Sequence, residues 1–274
     1  MRTTSIAQLA DVIRESEHVV VFTGAGMSAE SGIPTFRDDD GFWKRFPIEE
    51  FASWKGIFKT VFRRPRAMSE FVYEVIQPIA AARPNAGHLA VEQLEHHTRV
   101  TVVTQNVDGL HQLAGNTVVH EIHGSLFEVV SLKGRFRNLL SRNQFANIAD
   151  RVERSRHSRL SLFRLLWAIR SWLGVGWRGI HRPKVVLFGD SMAEPDWAMA
   201  WQAVRDCDCL IQVGCSGVVL PAAMLPIEAK DAGATIIAVD PQPVQADLWY
   251  EGKAGEVLPR LIERLVSQGE YDGV

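Results

Sequence analysis

The strongest constraint on this chain is a strand that empties into a glycine-rich turn: Val19-Val20-Val21-Phe22-Thr23-Gly24-Ala25-Gly26-Met27-Ser28-Ala29-Glu30-Ser31-Gly32-Ile33-Pro34-Thr35-Phe36-Arg37. Four consecutive apolar residues with a β-branched bias read as a buried strand. The glycines behind them let the backbone turn sharply and bring N–H groups against an anion with no Cβ in the way. Gly24-Ala25-Gly26 alone specifies no more than a tight strand-to-helix turn. The continuation narrows the reading, because Pro34 stiffens the exit and Arg37 sets a fixed cation beside the turn. A nucleotide phosphate is the ligand that such a turn suits.

Further along, strand-like and helix-like segments alternate. Ile6, Leu9, Ala10 and Ile13 have helical spacing ahead of the strand at 19–22, and a helix at 86–96 precedes a strand at 100–104. After the middle of the chain come strands at 185–188, 210–214 and 235–239, with helices at 197–206 and 225–232. This alternation predicts an α/β fold: a parallel sheet covered on both faces, with ligands at the carboxyl ends of its strands. At 274 residues and 46% hydrophobic content the chain can bury a full core, as one large domain carrying a smaller insertion. A net charge of −2 forces neither an acidic nor a basic partner. Residues 1–5 lead straight into a helical pattern, with no apolar leader and no twenty-residue apolar span, so no transmembrane segment and a cytoplasmic location are expected. Three cysteines, Cys207, Cys209 and Cys215, lie too close together for a disulfide framework.

The string GAGMSAESGIPTFR resembles the NAD-binding signature of the sirtuins, the Sir2 family. Other segments in the same order strengthen the likeness. Thr104-Gln105-Asn106-Val107-Asp108-Gly109-Leu110-His111 resembles TQNxDxLH, Glu121-Ile122-His123-Gly124 the segment with the family's catalytic histidine, and residues 185–190 (VVLFGD) a V-x-FG-[ED] strand and loop. Residues 213–222 are similar to VGTSxxVxPA and 252–259 to the family's last loop and helix, so the likeness spans 5–128 and 183–266. It implies a Rossmann-like NAD-binding domain made of 1–37, 85–130 and 183–274. A smaller, mainly helical domain made of 38–84 and 131–182 stands in the place of the family's zinc ribbon.

The resemblance also implies roles. His123 is the expected general base, with Asn106 and Asp108 completing the catalytic set near the nicotinamide carboxamide. Gly24, Ala25, Gly26 and Ser28 are expected to hold the pyrophosphate through backbone donors and one hydroxyl. Gln105, with Asn106 and Asp108, takes the nicotinamide-ribose end. Phe36 shields the reacting centre and Arg37 anchors the same lid. Gly214, Cys215 and Ser216 are placed at the adenosine ribose and phosphate, Asp240 at a ribose hydroxyl where the family often has asparagine, and Ala254 near adenine. An acyl-lysine protein or peptide is the implied substrate, lying as an added strand between Phe188-Gly189-Asp190 and a loop containing Val218 and Val219. Where members that prefer acidic acyl groups carry a Tyr-x-x-Arg pair, this chain has Val72 and Val75, which favours a neutral acyl group such as acetyl.

The chain departs from the family at 131–182. Typical sirtuins place two Cys-x-x-Cys pairs there to build a four-thiolate zinc site, but this stretch contains no cysteine, so no metal and no structural zinc are expected. It is instead basic and helical in pattern: twelve arginines and lysines face only Asp150 and Glu153. Phe145, Ile148 and Val152 share one helical face, and residues 162–173 are apolar round most of the circumference. A helical hairpin packed on the core with solvated arginines is one reading. A docking surface for nucleic acid, anionic lipid or an acidic partner is the other.

Three functions fit these residues. The first is an NAD-dependent protein-lysine deacylase that releases nicotinamide and O-acyl-ADP-ribose. The second is an NAD glycohydrolase or mono-ADP-ribosyltransferase, which would use the same NAD-binding residues. The third is a non-catalytic NAD-sensing module, which leaves His123 unexplained.

Overall fold

The computed structural model describes residues 4–35, 42–156, 161–176 and 179–269. The chain divides into two compact units, Met1–Ser31 with Arg83–Ile122 and Glu194–Val274, and Gly32–Ala82 with His123–Ala193.

The larger unit is built on six parallel strands: β1 His18–Thr23, β2 Arg99–Thr104, β3 Val119–Glu121, β8 Cys209–Val213, β9 Thr235–Val239 and β10 Leu248–Tyr250. Their spatial order is β3-β2-β1-β8-β9-β10. The chain therefore builds outward from β1 on one side, then returns to build outward on the other. β1 is buried along its whole length because alternate residues feed two covered faces. Val19, Val21, Val100, Val102, Ile211 and Val213 meet helices Ile6–Arg14, Ala86–Leu94 and Ala254–Gly269 in one core, through Leu9, Ile13, Val91, Leu94, Leu258 and Leu261. Ser5 and Gln8 start the first helix with a reciprocal cap, and Asn85 accepts the N–H groups of Gly87 and His88 to start the second. Helices Asp196–Arg205 and Leu225–Asp231 accompany β3, β8 and β9. This is the expected Rossmann-like sheet, with its topological switch point between β1 and β8.

The smaller unit combines helices with an antiparallel sheet, ordered β5-β4-β7-β6, of β4 Gly124–Ser131, β5 Phe136–Leu139, β6 Gly174–Gly176 and β7 Gly179–Val185. Here the structure revises two expectations. The basic stretch is not a plain helical hairpin, because its ends are strands that close a sheet around helices Arg142–Arg156 and Ser161–Ile169. The segment expected as a parallel strand at 185–188 ends its strand at Val185, and β7 pairs antiparallel with β4. The run Gly179–Val185 is polar and interrupted by Pro183, so it shows no strand periodicity of its own. Its partner strand, distant in sequence, supplies the ladder.

Residues 32–35, 123–130 and 183–193 go with the smaller unit. Within that unit Phe46, Phe51 and Phe71 form a ring cluster with centroids 4.9–5.4 Å apart. Helix Pro65–Ala81 packs against Arg142–Arg156, whose Phe145, Ile148 and Val152 are fully buried as their spacing predicts. No helix of the described residues is long and apolar enough to cross a membrane.

Candidate functional site

In the larger unit the site residues gather at the carboxyl ends of β1, β2, β8 and β9. The backbone leaving β1 lies against the backbone leaving β8: Gly24 N–H donates to the Val213 carbonyl and Gly26 N–H to the Gly214 carbonyl, both at 3.1 Å. A Cβ on Gly26 would stand 2.6 Å from Gly214 Cα, and one on Gly214, whose φ is +59°, would stand 2.5 Å from Gly26. Glycine is required at both positions because two main chains occupy the space of one. The N–H groups of Gly24 and Gly26 are engaged within the protein, and among the described residues Ala25 N–H, at the first turn of the short helix Ala25–Ser28, has no protein acceptor. That donor at the mouth of a glycine cradle fits a pyrophosphate oxygen.

Behind the turn lies a buried polar chain. Asp108, 4% exposed, accepts the Ser28 hydroxyl at 2.7 Å and the Leu110 N–H at 2.9 Å. Asn106 Nδ2 donates to Ser28 Oγ at 3.1 Å and to the Gly24 carbonyl at 2.9 Å, while Asn106 N–H donates to Thr104 Oγ1. Ser28 is thus a link between Asn106 and Asp108. The chain fixes the amide of Asn106 in one orientation. Gln105 N–H donates to the Thr23 carbonyl, and its side chain reaches Cys215 Sγ at 3.6 Å.

Deeper, His111 joins Thr23 Oγ1 and Asn116 Oδ1 through its two ring nitrogens at 3.1 Å each, and its ring lies 4.8 Å from that of His88. Burial holds both histidines neutral, His88 with a pKa lowered to about 3. Burial likewise pushes the thiols of Cys209 and Cys215 up and that of Cys207 to about 11, so all three behave as small apolar groups. Among the described residues no group of three or more His, Cys, Asp or Glu is gathered as a metal site.

On the β9 side, Asp240 is half-buried, which raises its pKa, and it accepts the Gln242 N–H at 2.9 Å. A cleft of about 420 Å³ beside it is lined by Pro241, Tyr250, Glu251, Gly252, Lys253 and Glu256. Ala254 is buried at the start of the last helix, and Ser216 and Val218 are exposed with Val219 half-buried between them and Leu220.

In the smaller unit, His123 is half-buried at the start of β4, and its carbonyl accepts the Val186 N–H at 2.9 Å. Asp190 Oδ2 accepts the Trp54 indole N–H at 2.8 Å and the Leu187 N–H at 3.2 Å, which closes the Phe188-Gly189-Asp190 loop. Phe188 N–H donates to the Ala52 carbonyl while the Phe188 ring is exposed. Val72 is buried on helix Pro65–Ala81 and Val75 half-buried. Phe36 and Arg37 lie outside the described residues.

Two supporting residues escaped the sequence reading. Asn85 Nδ2 donates to the Met27 carbonyl at 2.8 Å and to Ser31 Oγ, bracing the far side of the glycine turn. Glu30 accepts the Gly255 N–H at 2.8 Å. Asn85 could have been found as a helix N-cap after Pro84, but Glu30 carries no local signal for a partner so far along the chain.

The Sir2 family model matches residues 24–221. The chain belongs to the Sir2 family. A curated relative from Archaeoglobus fulgidus, named NAD-dependent protein deacylase 2, is 39% identical over 265 residues, which are 95% of this chain and 96% of the relative. Among solved Sir2 structures, a Sir2 homologue in complex with NAD aligns with a TM-score of 0.76 at 30% identity, covering 97% of this chain and 96% of that one. Another, bound to a myristoylated histone peptide, aligns at 0.69 and 31% identity, covering 97% and 98%.

Proposed function

We propose that this Sir2 protein is an NAD-dependent protein-lysine deacylase acting on neutral acyl groups, with His123 as general base. The observation that carries the reading is the buried chain from Asn106 through Ser28 to Asp108, whose hydrogen bonds leave a single orientation for the Asn106 amide. Relatives of 34–39% identity across most of the chain carry the name NAD-dependent protein deacylase, which supports the same activity here.

NAD, when bound, would supply an anomeric carbon with nicotinamide as its leaving group and a ribose to accept the acyl group given up by lysine. Gly24, Gly26 and Gly214 let the two main chains close on each other and so shape the turn, whose Ala25 N–H would donate to the pyrophosphate. Asn106 and Asp108 orient the nicotinamide end, while Asp240 accepts from a ribose hydroxyl and Ala254 borders adenine. Gln105, Cys215 and Ser216 would complete the nucleotide contacts. His123 would remove a ribose-hydroxyl proton through a ring nitrogen, as a general base.

On the acyl side Val72 and Val75 bring no cation, so an acidic acyl group would lose its hydration without gaining a partner. The acyl-lysine main chain pairs with the Phe188–Asp190 and Val218–Val219 segments. A Sir2 structure holding a myristoylated histone peptide supports a neutral, apolar acyl group. The substitution of strands and helices for a cysteine-bearing ribbon supports folding without zinc.

The test is nicotinamide release from NAD with and without an acetyl-lysine peptide, with succinyl-lysine peptide as comparison. Release that depends on the acetyl peptide is expected. Equal release without peptide would replace the deacylase reading with an NAD hydrolase, and preference for succinyl-lysine would overturn the assignment of Val72 and Val75.

A further inference from the structure

Helix Ser161–Ile169 is apolar on both of its faces, and one of them has no partner among the described residues. Leu165, Ala168 and Ile169, with Trp172 beyond, are buried at 0–6% exposure and account for the helix's attachment to the smaller unit. The opposite side carries Phe163, Leu166 and Trp167 at 73%, 42% and 56% exposure, three large side chains at i, i+3 and i+4 that turn into solvent together. An exposed stripe of this kind costs solubility and marks a contact surface.

Its surroundings are cationic. Arg170 stacks over Trp167 at 4.3 Å and Arg151, from the preceding helix, at 5.6 Å, while Arg164 lies between Phe163 and Leu166 in the chain and is exposed. Among the described residues none of Arg151, Arg154, Arg164 and Arg170 is ion-paired to a carboxylate. Further apolar side chains are exposed beyond the helix end. His181 is hydrogen-bonded to the Arg170 carbonyl at 2.8 Å, and beside it Val175 and Ile180 face each other across the β6–β7 hairpin at 81% and 46% exposure.

We propose that this face docks on an anionic lipid surface, with Phe163, Leu166 and Trp167 inserted at the headgroup–acyl boundary and the arginines on lipid phosphates. The chemistry selects this occupant. Aromatic and aliphatic side chains flanked by arginine are what an interfacial helix presents to a bilayer, and arginine stems can lie along the apolar surface while their heads reach phosphate. A nucleic acid gains little from Leu166, Val175 and Ile180, since its partner surfaces are polar. A second copy would set two unpaired arginine clusters against each other. The inference rests on the smaller unit's surface alone and is independent of the deacylase assignment.

The test is co-sedimentation of the full-length chain with vesicles of phosphatidylglycerol and phosphatidylcholine, and with phosphatidylcholine vesicles alone. Binding to the anionic vesicles only, weakened by added salt, is expected. Phe163→Ser with Trp167→Ser should reduce it at least about tenfold, because two large apolar side chains no longer leave water. Arg164→Gln with Arg170→Gln should reduce it by a similar factor. All these side chains are exposed, so melting temperature and peptide turnover in solution should not change. Absence of sedimentation would overturn the proposal, as would equal binding to neutral vesicles or binding that survives the Phe163/Trp167 variant. Tighter binding to a single-stranded oligonucleotide, or a concentration-dependent dimer abolished by Trp167→Ser, would reassign the surface.

Discussion

Replacing Asp108 by asparagine tests the buried chain at its most constrained point. Both carboxylate oxygens are acceptors in the native protein, Oδ2 from the Ser28 hydroxyl at 2.7 Å and Oδ1 from the Leu110 N–H at 2.9 Å. An amide has one acceptor and one donor end, so either orientation sets an NH₂ group against a donor. With the NH₂ towards Leu110, two N–H groups meet. With it towards Ser28, the hydroxyl oxygen faces a second donor beside Asn106 and its own proton loses its acceptor. A buried donor left unsatisfied costs ~1–3 kcal/mol. Taking the middle of that range, Asp108→Asn should lower the melting temperature by about 4–8 °C at ~2–4 °C per kcal/mol. If the strain reaches the Asn106 amide, ~2 kcal/mol also corresponds to roughly a thirtyfold loss in peptide-dependent nicotinamide release. Adding Ser28→Ala removes one of the two conflicts, so the double variant should lose less stability than the sum of the single variants. Thermal melts and steady-state turnover on the three variants read this directly. An Asp108→Asn protein with native melting temperature and native turnover would refute the argument that two donors converge on this carboxylate.

His123→Ala should lower deacylation about 10²–10⁴-fold, the usual effect of losing a general base, while NAD affinity measured by calorimetry stays near that of the parent. Near-parental deacylation would remove His123 from the mechanism. His88 has its pKa lowered from 6.5 to about 3 by burial, so between those values the unfolded chain binds the proton and the folded one does not. Its contribution to stability is complete above pH 6.5 and is lost as pH falls towards 3, at ~1.4 kcal/mol per pH unit. In His88→Phe the urea midpoint should fall less steeply between pH 6.5 and 4 than in the parent, and identical slopes would contradict this. Metal analysis should find well under one zinc per chain and a chelator should leave the melting temperature unchanged, whereas stoichiometric zinc with unfolding on chelation would overturn zinc-free folding.

The sequence by itself determined the parallel sheet and marked the segments that end at the candidate site. Buried strands such as Val19–Phe22 and Leu210–Val213 announce themselves as short β-branched runs, and glycines at 24, 26 and 214 mark where backbones must approach, because both signals are local. It also located the cysteine-free segment at 131–182, since absent cysteines are visible without coordinates.

What only the tertiary structure decided were the partnerships between distant residues. Ser28 and Asp108 are eighty residues apart, and nothing in either motif tells a hydroxyl aimed at phosphate from one already bonded to a carboxylate. The N–H groups of Gly24 and Gly26 read as free donors until β8 comes alongside and takes them. The strand Gly179–Val185 is invisible in its own polar sequence because its hydrogen bonds come from β4, some fifty residues earlier. The outward stripe Phe163-Leu166-Trp167 could not be separated from the inward one by spacing, since residues 162–173 are apolar nearly all round. Only packing showed which side was already occupied. Periodicity records what each residue prefers, whereas the fold decides which of those preferences another part of the chain has already satisfied.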